Sequence, residues 1–431
     1  MAERTADDAL PLLSDPDVYV AGVPHEEFAR RRREAPVAWV EEKPLWRYGG
    51  SGSALAVAGP GYWAVTRHAT VARVSRSPRA FSSGDRGAFL ADPRSRQDLE
   101  RTRQLLINMD DPEHARVRRF VAAAFSPRTI AGLRDGIRRH ASALVEDLRR
   151  RDEFDAVRDL AAELPLRSLA DLLGVPPADR GLLYRWSNSL VGFDDPEVGG
   201  GRIEDYKRTF GEAFAYALEQ AEARRRQPGR DLVSGLVQAE VDGERLGDRE
   251  LCNLWLLLVV AGNETTRHLL SGSLQALAEW PDQRDRLLAA PRLLPGAVEE
   301  LLRWVSPVMQ FRRTAIVDTW LGGQRIREGD KVVLYYVSAN RDEEVFEDPM
   351  RLDLARQPNP HLAFGVGPHF CLGAHLARLE AAALLEALRP HLAAFELVRP
   401  PARLASNFVN GVKSMPARFD PSPRGGRRAA S

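Results

Sequence analysis

From about residue 112 to about 305 the sequence keeps returning apolar side chains three and four positions apart, as in RTIAGLRDGIRRHASALVEDLRR and FGEAFAYALEQAEARRR. That period lays an apolar stripe along each helix, and a chain with many such stripes must bury them against one another. Pro/Gly clusters such as GVPPAD and RRRQPGRD cut the run into separate helices without supplying a linker between domains. Outside this region the pattern changes. HEEFARRRREAP (25–36) reads as a helix stopped by its proline. PVAWVEE and YWAVTR alternate as short strands do, and strands return at TAIVDTWLGGQRI and DKVVLYYV, with LGGQ as a hairpin turn. A long irregular stretch occupies 339–361. Length alone, 431 residues, suggests two or three domains. With no repeat and no linker, one large domain over 15–420 is expected instead, mainly α with small β-sheets (α+β). Residues 1–14 and 421–431 are polar, small or basic and are expected to be disordered tails.

The 61 basic and 60 acidic side chains leave a net charge of +1. No global field therefore recruits nucleic acid or an anionic membrane. The longest apolar run, LWLLLVVAG (254–262), is far below the roughly 20 residues a bilayer needs. The N-terminus lacks a basic segment followed by an apolar one, so no signal peptide is read. Two cysteines, Cys252 and Cys371, argue against a disulfide framework. A cytoplasmic protein with no nucleic-acid and no membrane partner is expected.

Cys371 lies within HLAFGVGPHFCLGAHLARLE (361–380). Gly365, Gly367 and Gly373 permit positive φ and close backbone approach. Leu372, Leu376, Leu379 and Ala383 then share one helical face, which places the cysteine at a helix N-terminus. Free N–H groups and the macrodipole there are expected to lower the thiol's pKa and hold a thiolate. Such a sulfur suits a nucleophile, a metal ligand or a redox sensor, and a buried structural thiol is the plain alternative. No C-x-x-C or C-x-x-C-H accompanies it, which argues against a zinc set and against covalent haem attachment. Cys252 reads as an ordinary buried thiol.

The string Phe364-x-x-Gly367-x-x-x-Cys371-x-Gly373 resembles the haem-binding loop of the cytochrome P-450 superfamily, the haem-thiolate monooxygenases. The resemblance implies Cys371 as the iron ligand, with Phe364 packed beside the sulfur and Gly365 in the same cofactor-binding loop. Three further stretches agree, in the family's chain order. LLLVVAGNETTRHLLSG (256–272) sets a glycine, an acid and two threonines in a core-like helix, which is costly unless something polar uses them. Ala261, Gly262, Glu264 and Thr265 match the family's distal helix. By resemblance Thr265 hydrogen-bonds dioxygen, Glu264 with water delivers protons for O–O cleavage, and Gly262 leaves room for oxygen. In AVEELLRWVSP (297–307), Glu300 and Arg303 share a face. The family completes this pair with an arginine of a later meander, and PMRL (349–352) offers Arg351. A buried haem also needs cations for its two propionates. His114 and Arg118, Arg313 and His369 match the positions that serve bacterial members.

The resemblance covers nearly the whole chain and implies one P-450-type domain, with haem between a distal helix (about 250–280) and the Cys371 loop. The implied cofactor is non-covalent haem b (iron protoporphyrin IX), with O2 as co-substrate and no bound flavin. Electrons come from a ferredoxin and an NAD(P)H-linked ferredoxin reductase, expected to dock near Arg378, Arg116 and Arg119. The expected reaction inserts one oxygen atom into a C–H bond of a hydrophobic molecule, in the manner of actinobacterial steroid, terpenoid or fatty-acyl hydroxylases. Phe89, Leu90, Phe193, Leu258, Val308, Met309 and Val409 are the substrate-facing candidates. Two alternatives stay open: natural-product tailoring by oxidative coupling or aromatic nitration, as in secondary metabolism, and a non-catalytic haem sensor.

Overall fold

The computed structural model describes residues 12–48, 54–57, 59–93, 95–125 and 127–420. Its centre is one helix of 32 residues, Asp248–Glu279. Glu250 reaches back to the Gly247 N–H at 2.9 Å, which caps the helix start. Pro281 stops it. Helices Glu163–Leu173, Arg180–Val191, Ile203–Arg226, Leu294–Val305 and Ala374–Leu388 all pack on it, each turning its apolar stripe inward. Ala374–Leu388 packs also against Pro127–Leu148. The helix read at 25–36 runs His25–Glu34 and ends, as proline sterics demand, just before Pro36.

A five-stranded sheet flanks the helices in the order Val37–Val40, Tyr62–Val65, Lys331–Tyr335, Gln310–Ala315, Phe81–Ser82. Only the pairing of Lys331–Tyr335 with Tyr62–Val65 is parallel. The LGGQ turn joins Thr319–Leu321 to Gln324–Ile326, with Gly322 and Gly323 at φ +56° and +79°. Two successive positive φ angles are what a type I′ hairpin requires. Residues 340–373 carry no regular helix or strand and bring the cysteine loop beneath the helical layer.

The tail expected at 421–431 lies outside the described residues, as do residues 1–11. At the end of the other expected tail, Leu13 is buried and the Ser14 hydroxyl donates to the Glu41 carbonyl at 3.2 Å. Tertiary contact therefore begins earlier than composition implied. No helix is long and apolar enough to cross a membrane among the described residues.

Candidate active site

The cysteine loop closes on itself: the Cys371 N–H donates to the Phe364 carbonyl at 3.0 Å and Phe370 N–H to Gly367 at 3.0 Å. Gly367 has φ +82°, and a Cβ there would sit 2.6 Å from the Ser75 carbonyl oxygen, so both torsion and space demand glycine. Arg378 lies over the Phe364 ring at 4.5 Å while pairing with Glu299 at 2.7 and 2.8 Å. The Cys371 side chain is exposed. Even so, the protein crowded around the loop desolvates the sulfur and pushes the thiol up, against the Gly373 N–H, Arg118 and Arg378, which pull it down. Cys371 stands two residues before Gly373, the cap of Ala374–Leu388, whose N–H favours the anion.

Around this loop four basic side chains converge. His114 and Arg118 come from helix Glu113–Ala124, Arg313 from strand Gln310–Ala315, and His369 from the loop itself. The His114 and His369 rings lie 4.2 Å apart, and Arg118 donates to the Phe370 carbonyl at 2.6 Å. Arg313 is buried and donates to the Arg312 carbonyl at 2.7 Å. Burial, then Arg313, His114 and Arg118, push the His369 imidazole down to about 2. His114 Nε2 is buried without a hydrogen-bond partner. The nearest acids are engaged elsewhere or marginally: Asp110 accepts from the Ser83 and Gly84 N–H groups, and Asp111 lies 3.4 Å from His114 Nδ1. Two arginines and two histidines, one with a buried ring nitrogen left without a partner, fit a ligand that carries two carboxylates.

The long helix interrupts its own burial near its middle. Ala261 is exposed, and Leu257, Leu258, Val260 and Thr265 are half-buried, although residues on either side are buried. Thr265 Oγ donates to the Ala261 carbonyl at 2.7 Å and so lies along this accessible apolar strip. Gly262 is half-buried on the same helix, and a Cβ there would meet only Leu169, at an ordinary contact distance of 3.4 Å.

Glu264, 1% exposed, turns toward helix Arg180–Val191. Its Oε1 accepts from Ser187 Oγ at 3.2 Å, and Arg267 approaches its Oε2 to 2.5 Å without hydrogen-bond alignment. Burial raises its pKa although Arg267 opposes this. Asn263 bonds Ser187 at 2.6 Å, Arg267 bonds Asn188 at 3.1 Å, and His268 Nε2 lies 3.7 Å from Glu264. Sequence reading passed over Ser187, Arg267 and His268. The last two were legible as neighbours three and four residues along the helix from Glu264, whereas Ser187 was not.

It also passed over Glu380, an acid inside the apolar run LARLEAAALL. Fully buried, and hydrogen-bonded to Ser168 and Thr266, its carboxyl is pushed up to about 8 by desolvation. A raised acid pKa favours the protonated fold. The contribution is complete below the ordinary glutamate range and is lost as pH rises through about 8. Stability should fall by about 1.4 kcal/mol per pH unit inside that window. Melts across the range should show this slope in the native protein and a flatter one in Glu380→Gln; equal slopes would mean that Glu380 titrates normally.

Glu300 and Arg303 meet in the core, fully buried, through two bonds of 2.7 Å. The third member is Arg356, not Arg351: its Nε lies 3.2 Å from both Glu300 oxygens. Arg351 is exposed and contributes its carbonyl oxygen, to Arg303 at 3.2 Å and to Arg356 at 3.1 Å.

The expected substrate contacts divide. Phe89 is 38% exposed and sits edge-on to Phe311 and Phe408, at 6.2 and 5.3 Å, two half-buried rings that the sequence did not single out. Leu258 lies on the accessible strip, Val308 is half-buried, and Phe193 is half-buried against Tyr206. Leu90, Met309 and Val409 are buried. The arginines expected at a docking face are largely neutralised. Arg378 pairs with Glu299, Arg116 with Glu113 and Glu250, and Arg119 with Asp242 at 2.7 Å.

A family model for cytochrome P450 matches residues 288–403. The chain is similar to a steroid C26-monooxygenase of Rhodococcus jostii, 39% identical over 404 residues, covering 93% of this chain and 83% of that one. It is 41% identical over 394 residues to a methyl-branched lipid omega-hydroxylase of Mycobacterium tuberculosis, covering 90% and 89%. Among solved structures, a Mycobacterium marinum cytochrome P450 in complex with pseudoionone aligns with a TM-score of 0.86 at 39% identity, over 96% of this chain and 100% of that one. A Bacillus megaterium protein, CYP109E1, in complex with testosterone aligns at 0.78 and 32% identity, over 92% and 99%.

Proposed function

The chain belongs to the cytochrome P450 family, and from that premise we propose that Cys371 is the thiolate ligand of a non-covalent haem b in a hydroxylase of steroid side chains or methyl-branched lipids. The family makes it a haem-thiolate monooxygenase of hydrophobic substrates. The observation that carries the site assignment is the gathering of His114, Arg118, Arg313 and His369 around the loop that presents Cys371, with an unpartnered buried ring nitrogen on His114.

When bound, the haem supplies dioxygen activation and transfer of one oxygen atom into a C–H bond, the other leaving as water. His114, Arg118, Arg313 and His369 would hold its two propionates. The Gly373 N–H bonded to Cys371 tempers the charge on the sulfur. Leu257, Leu258, Val260 and Ala261 present an apolar wall that excludes water and suits an aliphatic substrate. Thr265 Oγ, bonded to the Ala261 carbonyl, is the polar group on that wall and can hold a proton there. Burial raises the carboxyls of Glu264, on this helix, and of Glu380, packed against it. The relatives' names, a monooxygenase and a hydroxylase, favour hydroxylation over coupling or nitration.

Electrons would arrive from an NAD(P)H-linked reductase through an acidic ferredoxin, in the cytoplasm. Its docking face includes Arg76 and Arg79, exposed residues in no ion pair among the described residues, beside the outer side of the cysteine loop at Gly367. The test adds testosterone, pseudoionone, a long methyl-branched fatty acid and a polar aromatic peptide to the haem-loaded protein. The apolar compounds should shift the iron from low to high spin and be hydroxylated with NADPH, ferredoxin and reductase. A shift with the peptide alone would sink the substrate assignment. In the same assay Arg76→Glu with Arg79→Glu should slow reduction by ferredoxin and leave the spin shift intact.

A further inference from the structure

The loop that carries Phe89 ends in a charge cluster that the reaction itself does not use. Asp92 divides its two oxygens between cations of neighbouring strands: Oδ1 accepts from Arg312 at 2.6 Å and Oδ2 from Lys331 at 2.7 Å. Lys331 also donates to Glu42 at 2.5 Å and to the Leu90 carbonyl at 3.0 Å, which satisfies all three of its N–H groups. Arg312 and Lys331 are 1% and 3% exposed, so neither has water to fall back on. Two buried cations, Arg312 and Lys331, thus face two carboxylates, Glu42 and Asp92, and only Asp92 comes from the loop. A second anchor lies just before Phe89, where the Arg312 N–H donates to the Ala88 carbonyl at 2.8 Å and Asn108 Oδ1 accepts the Ala88 N–H at 2.9 Å. Phe89 stands between the two anchors, partly exposed, against Phe311 and Phe408.

We propose that Asp92 is a positioning residue for catalysis: its clamp on Arg312 and Lys331 fixes Phe89 as one rigid wall of the substrate site. The inference rests on the proposed placement of the substrate beside Phe89. Removing the Asp92 charge leaves Arg312 without an ion-pair partner and the two buried cations with one anion, so beyond Phe89 the loop end keeps only the Leu90 carbonyl's bonds to the sheet. A loosened aromatic wall holds an aliphatic chain less firmly over the reacting centre, and misplacement costs productive turnover more than iron reduction.

The test compares Asp92→Asn and Asp92→Glu with the native, haem-loaded protein. Asp92→Asn should speed hydrogen exchange at the Ala88 and Arg312 amides. It should also raise about tenfold the concentration of testosterone or methyl-branched fatty acid giving half the spin shift, and divert more NADPH into peroxide. Asp92→Glu should recover part of each. A variant that only melts earlier, with exchange, binding and coupling unchanged, overturns the proposal. If the native protein responds to no member of the panel, the substrate reading fails by itself, and the amide exchange of Asp92→Asn still decides the clamp.

Discussion

Replacing Cys371 with serine should abolish the red-shifted Soret band of the reduced, carbon-monoxide-treated protein and leave no turnover above background. The fold should survive. The backbone bond from residue 371 to Phe364 does not involve the side chain, and the side chain is exposed in the loop. What changes is the donor. A thiolate is soft and strongly electron-donating, whereas an alcohol is harder and ionises far less readily. Desolvation by the surrounding loop pushes the native thiol up, opposed by the Gly373 N–H, Arg118 and Arg378. A serine hydroxyl in the same place would stay protonated. Circular dichroism should match the native protein while the spectrum after reduction and carbon monoxide does not. A Cys371→Ser variant that kept the red-shifted band would remove the sulfur from the account.

The parts of the molecule that repeat with a fixed period were legible. The spacing of Leu372, Leu376, Leu379 and Ala383 marked a helix because 3.6 residues per turn leaves a trace in sequence. Gly322 and Gly323 marked a hairpin because few other residues take two successive positive φ angles. Contacts between distant segments left no such trace. Leu90, Met309 and Val409 are apolar whether they line a wall or fill a core, so residue type could not separate them from Phe89 or Leu258. Arg116, Arg119 and Arg378 read as free cations until the fold brought Glu250, Asp242 and Glu299 against them.

Arg303→Met should be among the most destabilising single changes in this protein, because it leaves Glu300 charged in the core. Breaking one side of a buried ion pair costs about 3–5 kcal/mol, a large share of the roughly 5–15 kcal/mol that holds a typical domain. Arg303 has more to lose than the pair. It also donates to the carbonyls of Asn340 at 2.9 Å and Pro349 at 3.0 Å, which tie helix Leu294–Val305 to the meander before the cysteine. Asn340 in turn accepts the Leu362 N–H at 2.6 Å, two residues before Phe364. Disorder introduced at Arg303 should therefore reach the loop and appear as poor haem retention as well as early unfolding. Arg356→Ala should weaken the protein by a smaller amount, since Glu300 keeps Arg303, the Asp353 N–H and Asn359. Arg351→Ala should cost almost nothing, because only the backbone of that residue takes part. Denaturant titrations of the three variants should fall in that order; an Arg351→Ala variant as unstable as Arg356→Ala would mean that the meander holds the acid from the other arginine.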